Sequence, residues 1–504
     1  MPKAGCWGRA ERMGATRRKL KATTMTSQRK RLQSYLKGRG LEVQESDGAR
    51  AMAVQNAWGG LNAPDLMDRV LDRSNFDEAV RRVVANRGAP GVDGMSASEL
   101  PVFVEQHWDG IYSDLRTGRY KPFPVRRVEI PKPDGGVRDL GVPTVLDRAV
   151  QQAIAQVLAP IYESKFSDRS YGFRPGRNAH QALAELRLDY ADGCEWAVDI
   201  DLSKYFDTLN HELLMNILRR DIHDETILVA IKAFLKSGVM VDGLVQDTDR
   251  GSPQGGNLSP LLANIYLNEF DRLLESRGHR FVRYADDIMI LVRSRRAAER
   301  VMSSSVEFLE GTMKLKVNRE KSSVAKPTEL KFLGFTIGDA VRNGERTVSL
   351  LIHPKSLKRF RDRVRHILRE RSQYTVEQTL RAFTVYLRGW LGYFAIGLAK
   401  RTIERLAGWA RRRLRARLWH DWKTSKNRYR NLLRIGYKNP WNAANCLIHA
   451  RSHGSWHMSA YRPLMAVLSN RYLESLGFPK VLEMYDGLRS AHANRRVREV
   501  RTVV

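Results

Sequence analysis

The stretch "FVRYADDIMILV", residues 281–292, constrains the fold of this chain more than any other. Two runs of strand-forming side chains, among them Phe281, Ile288, Ile290 and Val292, flank an adjacent acid pair, Asp286 and Asp287. Runs that short and apolar read as buried strands, and the acids between them mark a tight reversal. Carboxylates held against a buried sheet are unfavourable unless something cationic sits on them. Taken alone, the pair reads as an acidic turn facing solvent, so the rest of the chain decides its meaning.

A second acidic pair lies upstream in "AVDIDLSKYFD", where Asp199 and Asp201 are two residues apart. On a strand that spacing sends both side chains to one face. Strand and hairpin acids can converge without being sequence neighbours, and a bare cluster of that kind would repel itself and hold protons. Two Mg²⁺ ions, with Mn²⁺ as the alternative, would remove the conflict, because hard cations take carboxylate, water and phosphate oxygens. Such a pair of ions suits in-line phosphoryl transfer, stabilising an attacking 3′-oxygen and a departing pyrophosphate. Without the hairpin acids, Asp199 and Asp201 would serve equally to end a strand and cap a helix.

Charge narrows the partners. Across 504 residues, 86 Lys and Arg face 55 Asp and Glu, a formal net charge of +31. An excess of that size is the footprint of a polyanion binder. No apolar run approaches the roughly 20 residues that span a bilayer, and no secretory leader pattern is present. Nucleic acid is therefore the expected partner, and no membrane is. Cys6, Cys194 and Cys446 are far apart, which fits a reducing compartment without disulfides. Cys446 stands near His449, His453 and His457, but with no CxxC partner the segment favours a basic surface over a zinc site.

Residues 1–60 read as a basic extension. Its first 40 residues carry twelve Lys or Arg and one acid, Glu11, and suit a phosphate-contacting arm or an organelle transit peptide alike. A helical pattern follows from residue 61 and ends at "GAPGVDG". In "RRVEIPKPDGGVRDLGVP" the "PDGG" turn joins two short strands. Leu146, Val150, Ile154 and Leu158 form one stripe of an amphipathic helix. A strand "WAVDI" leads to a helix near Thr208–Arg220, and Ser259 caps a helix with Pro260 at its first position. Short apolar segments "MKLKVN" and "LKFLGFTI" follow the acidic hairpin. Beyond about residue 353 the strands stop and basic amphipathic helices take over.

These blocks, in this order, resemble the group II intron-encoded reverse transcriptase/maturase family. The resemblance rests on "GAPGVDG", "SYGFRPGRNAHQAL", "DLSKYFD", "RGSPQGGNLSPLLANIYL", "YADD", "LKVNREKSS" and "LKFLGF", over roughly residues 61–430. It implies an α+β fold: a right-hand polymerase with fingers (61–170) and palm (171–345), antiparallel sheet plus helices, then an α-helical thumb/maturase domain (346–430) and a basic DNA-binding region (431–504). It implies that Asp201, Asp286 and Asp287 are the catalytic metal ligands, with the Leu202 carbonyl beside them and Asp199 a structural neighbour. Tyr205 would be the ring that excludes a ribose 2′-hydroxyl, and Gln254 would line the nucleotide pocket. Lys132 and Arg138, supported by Arg126, would hold the incoming deoxynucleoside triphosphate. Leu333 and Gly334 would grip the primer end. Asp139 stands where many relatives have proline, outside the active site.

The basic helices imply the family's second task. Arg411, Arg412, Arg413, Arg415 and Arg417 cannot share one helix face, so some would meet RNA, while Trp390, Trp409 and Trp419 fall in apolar stripes and belong to the core. The implied partners are group II intron RNA, target DNA, template–primer duplex and deoxynucleoside triphosphates. The implied role is splicing assistance and retrohoming by target-primed reverse transcription, in a bacterial cytoplasm and at the nucleoid when acting on DNA. The C-terminal segment has one cysteine, so an endonuclease-lacking type is expected. A non-catalytic RNA-binding maturase would have lost a metal-binding aspartate, and a reverse transcriptase of another bacterial lineage would lack the basic helices.

Overall fold

The computed structural model describes residues 66–131, 136–241, 244–246, 256–342, 345–369, 373–436 and 440–490. The basic extension, Lys132 and Gln254 lie outside the described residues. The chain divides into two compact units between Lys358 and Arg359. Among the described residues no helix is long and apolar enough to cross a membrane.

The first unit begins with three helices, α1 (Leu66–Leu71), α2 (Arg73–Asn86) and α3 (Leu100–Arg116), packed with α4 (Val145–Glu163). The α4 stripe is as its spacing predicts: Val150, Ile154 and Leu158 are completely buried and Leu146 packs against them. Between α3 and α4, β1 (Val125–Pro131) and β2 (Val137–Val142) pair antiparallel with Ile130 opposite Arg138, so they flank the "PDGG" turn. The sheet continues through β4 (Val239–Val241) and β5 (Leu244–Gln246) in the order β2-β1-β4-β5.

A second, wholly antiparallel sheet forms the centre, in the order β6-β7-β3-β8. Its strands are β3 (Trp196–Ile200), β6 (Arg280–Tyr284), β7 (Asp287–Val292) and β8 (Ser323–Ala325). After Asp287, every residue of β7 is buried, which explains its unbroken apolar run. Helix α5 (Ala179–Ala191) leads into β3; after β3 a single turn, α6 (Tyr205–Thr208), precedes α7 (His211–Asp221), and Asn210 caps α7 by accepting from Leu213 N–H. The helix expected near Thr208–Arg220 is thus α7, starting three residues later, with a separate turn before it.

The long helix α9 (Ser259–Ser276), which follows α8 (Glu225–Leu235), starts at the expected cap itself, with Leu258 at the N-cap and Pro260 in the first turn. The buried Ser259 hydroxyl packs beside Gly256 instead of capping. "MKLKVN" is not a strand. Leu315 and Val317 are buried, and the segment makes a single bridge, Leu202 to Val317. Helix α10 (Arg295–Glu307) packs on β3, β7 and β8, and the hairpin β9 (Phe335–Arg342) and β10 (Glu345–Ile352) closes the unit.

The second unit is helical throughout its described residues. Helix α11 (Pro354–Ile367) runs into it, and α12 (Val376–Phe394) opens with a Thr375–Gln378 capping box. The 22-residue α13 (Lys400–Asp421) buries Ile403, Leu406, Ala410, Leu414 and Trp419. Shorter helices complete the unit.

Candidate active site

The acidic hairpin is as tight as the sequence demands. Tyr284 pairs with Asp287, leaving only Ala285 and Asp286 in the loop. Ala285 has φ +58°, the left-handed conformation that a two-residue hairpin needs and that costs a non-glycine residue about 1–2 kcal/mol. Asp286 and Asp287 are thereby fixed at the end of the buried β7.

Asp201 is held from the other side. It lies one residue beyond β3, where its N–H donates to Ser322 Oγ (3.0 Å) and its carbonyl accepts from Asn318 N–H (2.9 Å). Ser203 N–H donates to Lys316 O (2.8 Å). These two backbone bonds close the Leu202–Val317 bridge without using the carbonyl of Leu202, which is turned out of it. The "LKVNREKSS" block therefore positions Asp201 and Leu202 together.

Electrostatics join the two pairs into one cluster. Loss of water, then repulsion from Asp287 and Asp201, pushes the Asp199 carboxyl up to about 7. Loss of water, then repulsion from Asp286 and Asp201, pushes Asp287 up to about 6, and nearby Lys331 pulls against that rise. Asp287 keeps an open face to solvent, so its rise is the softer of the two. The sequence reading set Asp199 aside as a neighbour, but the structure makes it part of the cluster.

Among the described residues, no three His, Cys, Asp or Glu side chains stand grouped as a ready-made metal site. The donor set nonetheless fits Mg²⁺: its carboxylates offer hard oxygens, and burial and neighbouring charge raise Asp199 and Asp287, a conflict that a divalent cation would relieve. Asp201, Asp286 and Asp287 with the Leu202 carbonyl are the groups that would hold it.

Tyr205 is turned into the core. It is 3 % exposed, its ring lies in the core, and its hydroxyl donates to Ala263 O (2.8 Å). The adjacent Phe206, packed edge-on at 5.3 Å, is the half-buried ring of that turn. The two rings alternate inward and outward on a single helical turn, which a "YF" dipeptide does not disclose.

Leu333 and Gly334 form a two-residue turn with φ +49° and +87°, closed by reciprocal hydrogen bonds between Phe332 and Phe335 (3.0 and 2.9 Å). Gly334 O accepts from His353 N–H (3.1 Å) and Ser356 Oγ (2.9 Å). Leucine in the left-handed region is strained, a cost commonly found at functional turns.

Arg126 is half-buried and donates from Nη2 to Pro90 O (2.8 Å), so it braces the "GAPG" turn. Its buried Nε has no partner among the described residues. Arg138 sits on β2 opposite Ile130. Gly256 approaches Gln151 so closely that a Cβ would stand 2.6 Å from its Oε1, and Asn257 donates to Gln152 Oε1 (3.1 Å). The α4 glutamines thus anchor the end of the "SPQGGN" loop.

The arginines of α13 separate by direction. Arg415 donates to Leu468 O (2.7 Å) and Asn470 Oδ1 (2.8 Å); Arg417, 1 % exposed, donates to Thr379 Oγ1 (2.6 Å) and Tyr374 O (2.5 Å). Both are internal struts, which corrects their assignment to RNA: the aliphatic stem of arginine can be buried while its guanidinium reaches polar partners on neighbouring segments. Arg411, Arg412 and Arg413 are only partly buried, and Arg412 lies 4.0 Å over the Trp456 ring. Trp390 and Trp419 are core residues, whereas Trp409 is half-buried beneath Arg365 (5.7 Å). His449 stacks between His453 (4.1 Å) and Tyr461 (4.2 Å), an aromatic stack with no metal-ligand grouping.

A buried antiparallel sheet carrying this carboxylate cluster, followed by basic helices, defines the class. Residues 130–337 match the family "Reverse transcriptase (RNA-dependent DNA polymerase)", and residues 357–436 match "Group II intron, maturase-specific domain". The chain is 34% identical over 325 residues to Protein YkfC of Escherichia coli (strain K12), covering 56% of this chain and 85% of that protein. It is 35% identical over 241 residues to Group II intron-encoded protein LtrA of Lactococcus lactis subsp. cremoris, covering 47% of this chain and 40% of LtrA. A putative COX1/OXI3 intron 2 protein of Saccharomyces cerevisiae is 29% identical over 305 residues, covering 49% and 35%. The chain thus spans well under half the length of the two intron-encoded relatives. It belongs to the group II intron-encoded reverse transcriptase/maturase family.

Proposed function

We propose that this protein is an RNA-directed DNA polymerase that binds its group II intron RNA, assists splicing and copies the intron into DNA by target-primed reverse transcription. The observation that carries the catalytic part is the carboxylate cluster, in which burial and then the charges of Asp287 and Asp201 raise Asp199, and burial and then the charges of Asp286 and Asp201 raise Asp287. A dead polymerase kept as an RNA chaperone would have no reason to maintain it.

Asp201, Asp286 and Asp287, with Leu202 O, hold two Mg²⁺ ions in this reading. When bound, such ions supply Lewis-acid stabilisation of the attacking 3′-oxygen and the leaving pyrophosphate. Arg126, Lys132 and Arg138 hold the triphosphate, and the orphaned Nε of Arg126 suits a phosphate oxygen. Gln254 lines the pocket. Phe206, in place of Tyr205, faces the sugar and excludes a 2′-hydroxyl. The Leu333–Gly334 turn grips the primer end. Residues 61–170 act as fingers, 171–345 as palm, and 346–430 as thumb and maturase domain. Arg411, Arg412 and Arg413 lie on the RNA-facing side, with the basic 431–504 segment toward DNA.

Primer extension on an RNA template with Mg²⁺ tests the reading. Wild type extends the primer, and Asp286→Ala and Asp287→Ala do not. A wild-type chain that fails to extend would promote the RNA-chaperone role. For the maturase part, affinity for structured intron RNA exceeds that for random RNA of equal length and falls steeply with salt. Equal affinity for both would count against it.

A further inference from the structure

Three residues before Asp286, β6 carries Arg283, which is completely buried. Its backbone continues the sheet: its N–H donates to Arg169 O and its carbonyl accepts from Tyr171 N–H, both at 2.9 Å. Its guanidinium is engaged on three sides. Nε donates to both oxygens of Asp271 (2.8 and 3.0 Å), and Nη2 to Asp271 Oδ2 (2.5 Å). Nη1 donates to Asn264 Oδ1 (2.8 Å) and to the carbonyl of Ala285 (3.1 Å).

Asp271 and Asn264 are likewise buried and lie seven residues apart on one face of α9. Asn264 passes the contact on: its Nδ2 donates to Gly172 O (2.8 Å). Gly172 in turn lies flat on the acidic turn, where a Cβ would come within 2.3 Å of Ala285 N. One guanidinium therefore fixes the carbonyl that precedes Asp286 and, through Asn264, the segment that backs the turn.

Stability does not explain this arrangement. Well-packed apolar side chains of the same volume commonly replace a buried ion pair without loss of stability. What they cannot supply is a directed donor to the Ala285 carbonyl. We infer that Arg283, Asp271 and Asn264 form a positioning lock that sets the Ala285–Asp286 peptide, and with it the direction of the Asp286 carboxylate. The inference rests on the polymerase reading above. The three residues touch no substrate; they act through the turn.

A positioning role affects the chemical step and its Mg²⁺ requirement, and leaves template–primer affinity alone. The test is single-turnover primer extension by the full chain over a Mg²⁺ series, with template–primer binding and thermal unfolding measured in parallel. In Asn264→Ala, the rate at saturating substrate is expected to fall about 10- to 100-fold, the scale for misplacing a reacting group by about 1 Å, with dissociation constants within about two-fold of wild type. Arg283→Lys keeps a charge opposite Asp271 but has no fork to serve Asn264 and Ala285 O as well, and it falls at least as far. If Arg283→Lys does not fold, Asn264→Ala, which removes no charge, decides the matter. A folded Asn264→Ala that extends at the wild-type rate with the wild-type Mg²⁺ midpoint overturns the lock and leaves the polymerase reading intact. So does a rate loss matched by an equal loss of template–primer affinity. A wild-type chain that does not extend overturns both.

Discussion

Replacing Asp199 by asparagine is expected to stabilise the metal-free protein above pH 7, although it removes a side chain from the acidic cluster. In the unfolded chain this carboxyl ionises near 3.8; in the fold it holds its proton up to about 7. Between those values the native state binds more protons than the unfolded state. Stability from this group is therefore complete below about pH 4 and lost as pH rises through about 7. The separation corresponds to on the order of 4 kcal/mol, and partial access of water to Asp199 lowers that to about 2–4 kcal/mol. Asparagine is neutral at every pH. Asp199→Asn thus gains about 2–4 kcal/mol at pH 8, or roughly 4–10 °C in the melting of the first unit, and almost nothing at pH 4. Thermal unfolding in a chelator at the two pH values measures it. Added Mg²⁺ is expected to narrow the gap at pH 8 by stabilising wild type through binding. An Asp199→Asn protein no more stable at pH 8, or equally stabilised at pH 4, would refute the assignment of Asp199 to a shared, desolvated cluster.

Three further outcomes follow from the packing. Tyr205→Phe removes the donor to Ala263 O and is expected to lower stability by about 1–2 kcal/mol with sugar discrimination unchanged, whereas Phe206→Ala raises ribonucleotide incorporation at least about 10-fold in competition assays. Arg417→Ala strands the buried Thr379 Oγ1 inside the second unit and costs about 1–3 kcal/mol in its unfolding, with the salt dependence of RNA binding unaltered. Neutralising Arg411, Arg412 and Arg413 together instead flattens that salt dependence, read as the slope of log affinity against log salt.

Much of this architecture is legible in the sequence because its signals are local. The period-3.6 pattern of Val150, Ile154 and Leu158 and the apolar run of β7 announce their own burial. The two-residue hairpin follows from the shortness of "ADD" between strands. What the sequence withholds is direction. Tyr205 and Phe206 are neighbours of similar chemistry, and only the Ala263 carbonyl, 58 residues away in the chain, settles which ring turns inward. Arg415 and Arg417 look like their basic neighbours until Leu468, Asn470, Thr379 and Tyr374 claim them. Arg283, buried where charge is rarely found, could be suspected from its place inside an apolar strand, but its partners on α9 could not. Lys331 beside Asp287 is equally invisible to spacing.

The register of the central sheet also dictates when the acids can meet during synthesis. Asp199 is opposite Met289 on β7 and opposite Ser323 on β8, and Asp201 is held by Asn318 and Ser322. Contacts spanning about a hundred residues form late, because long loops must close before they are rewarded. A ribosome must therefore carry the chain past β8, and then past its own exit tunnel, before Asp201 can settle. Nascent or truncated chains ending before Ser323 leave β3 without one of its edges, an aggregation-prone strand where the finished protein has a catalytic floor. The acidic cluster is complete only once β8, more than a hundred residues after β3, has been made.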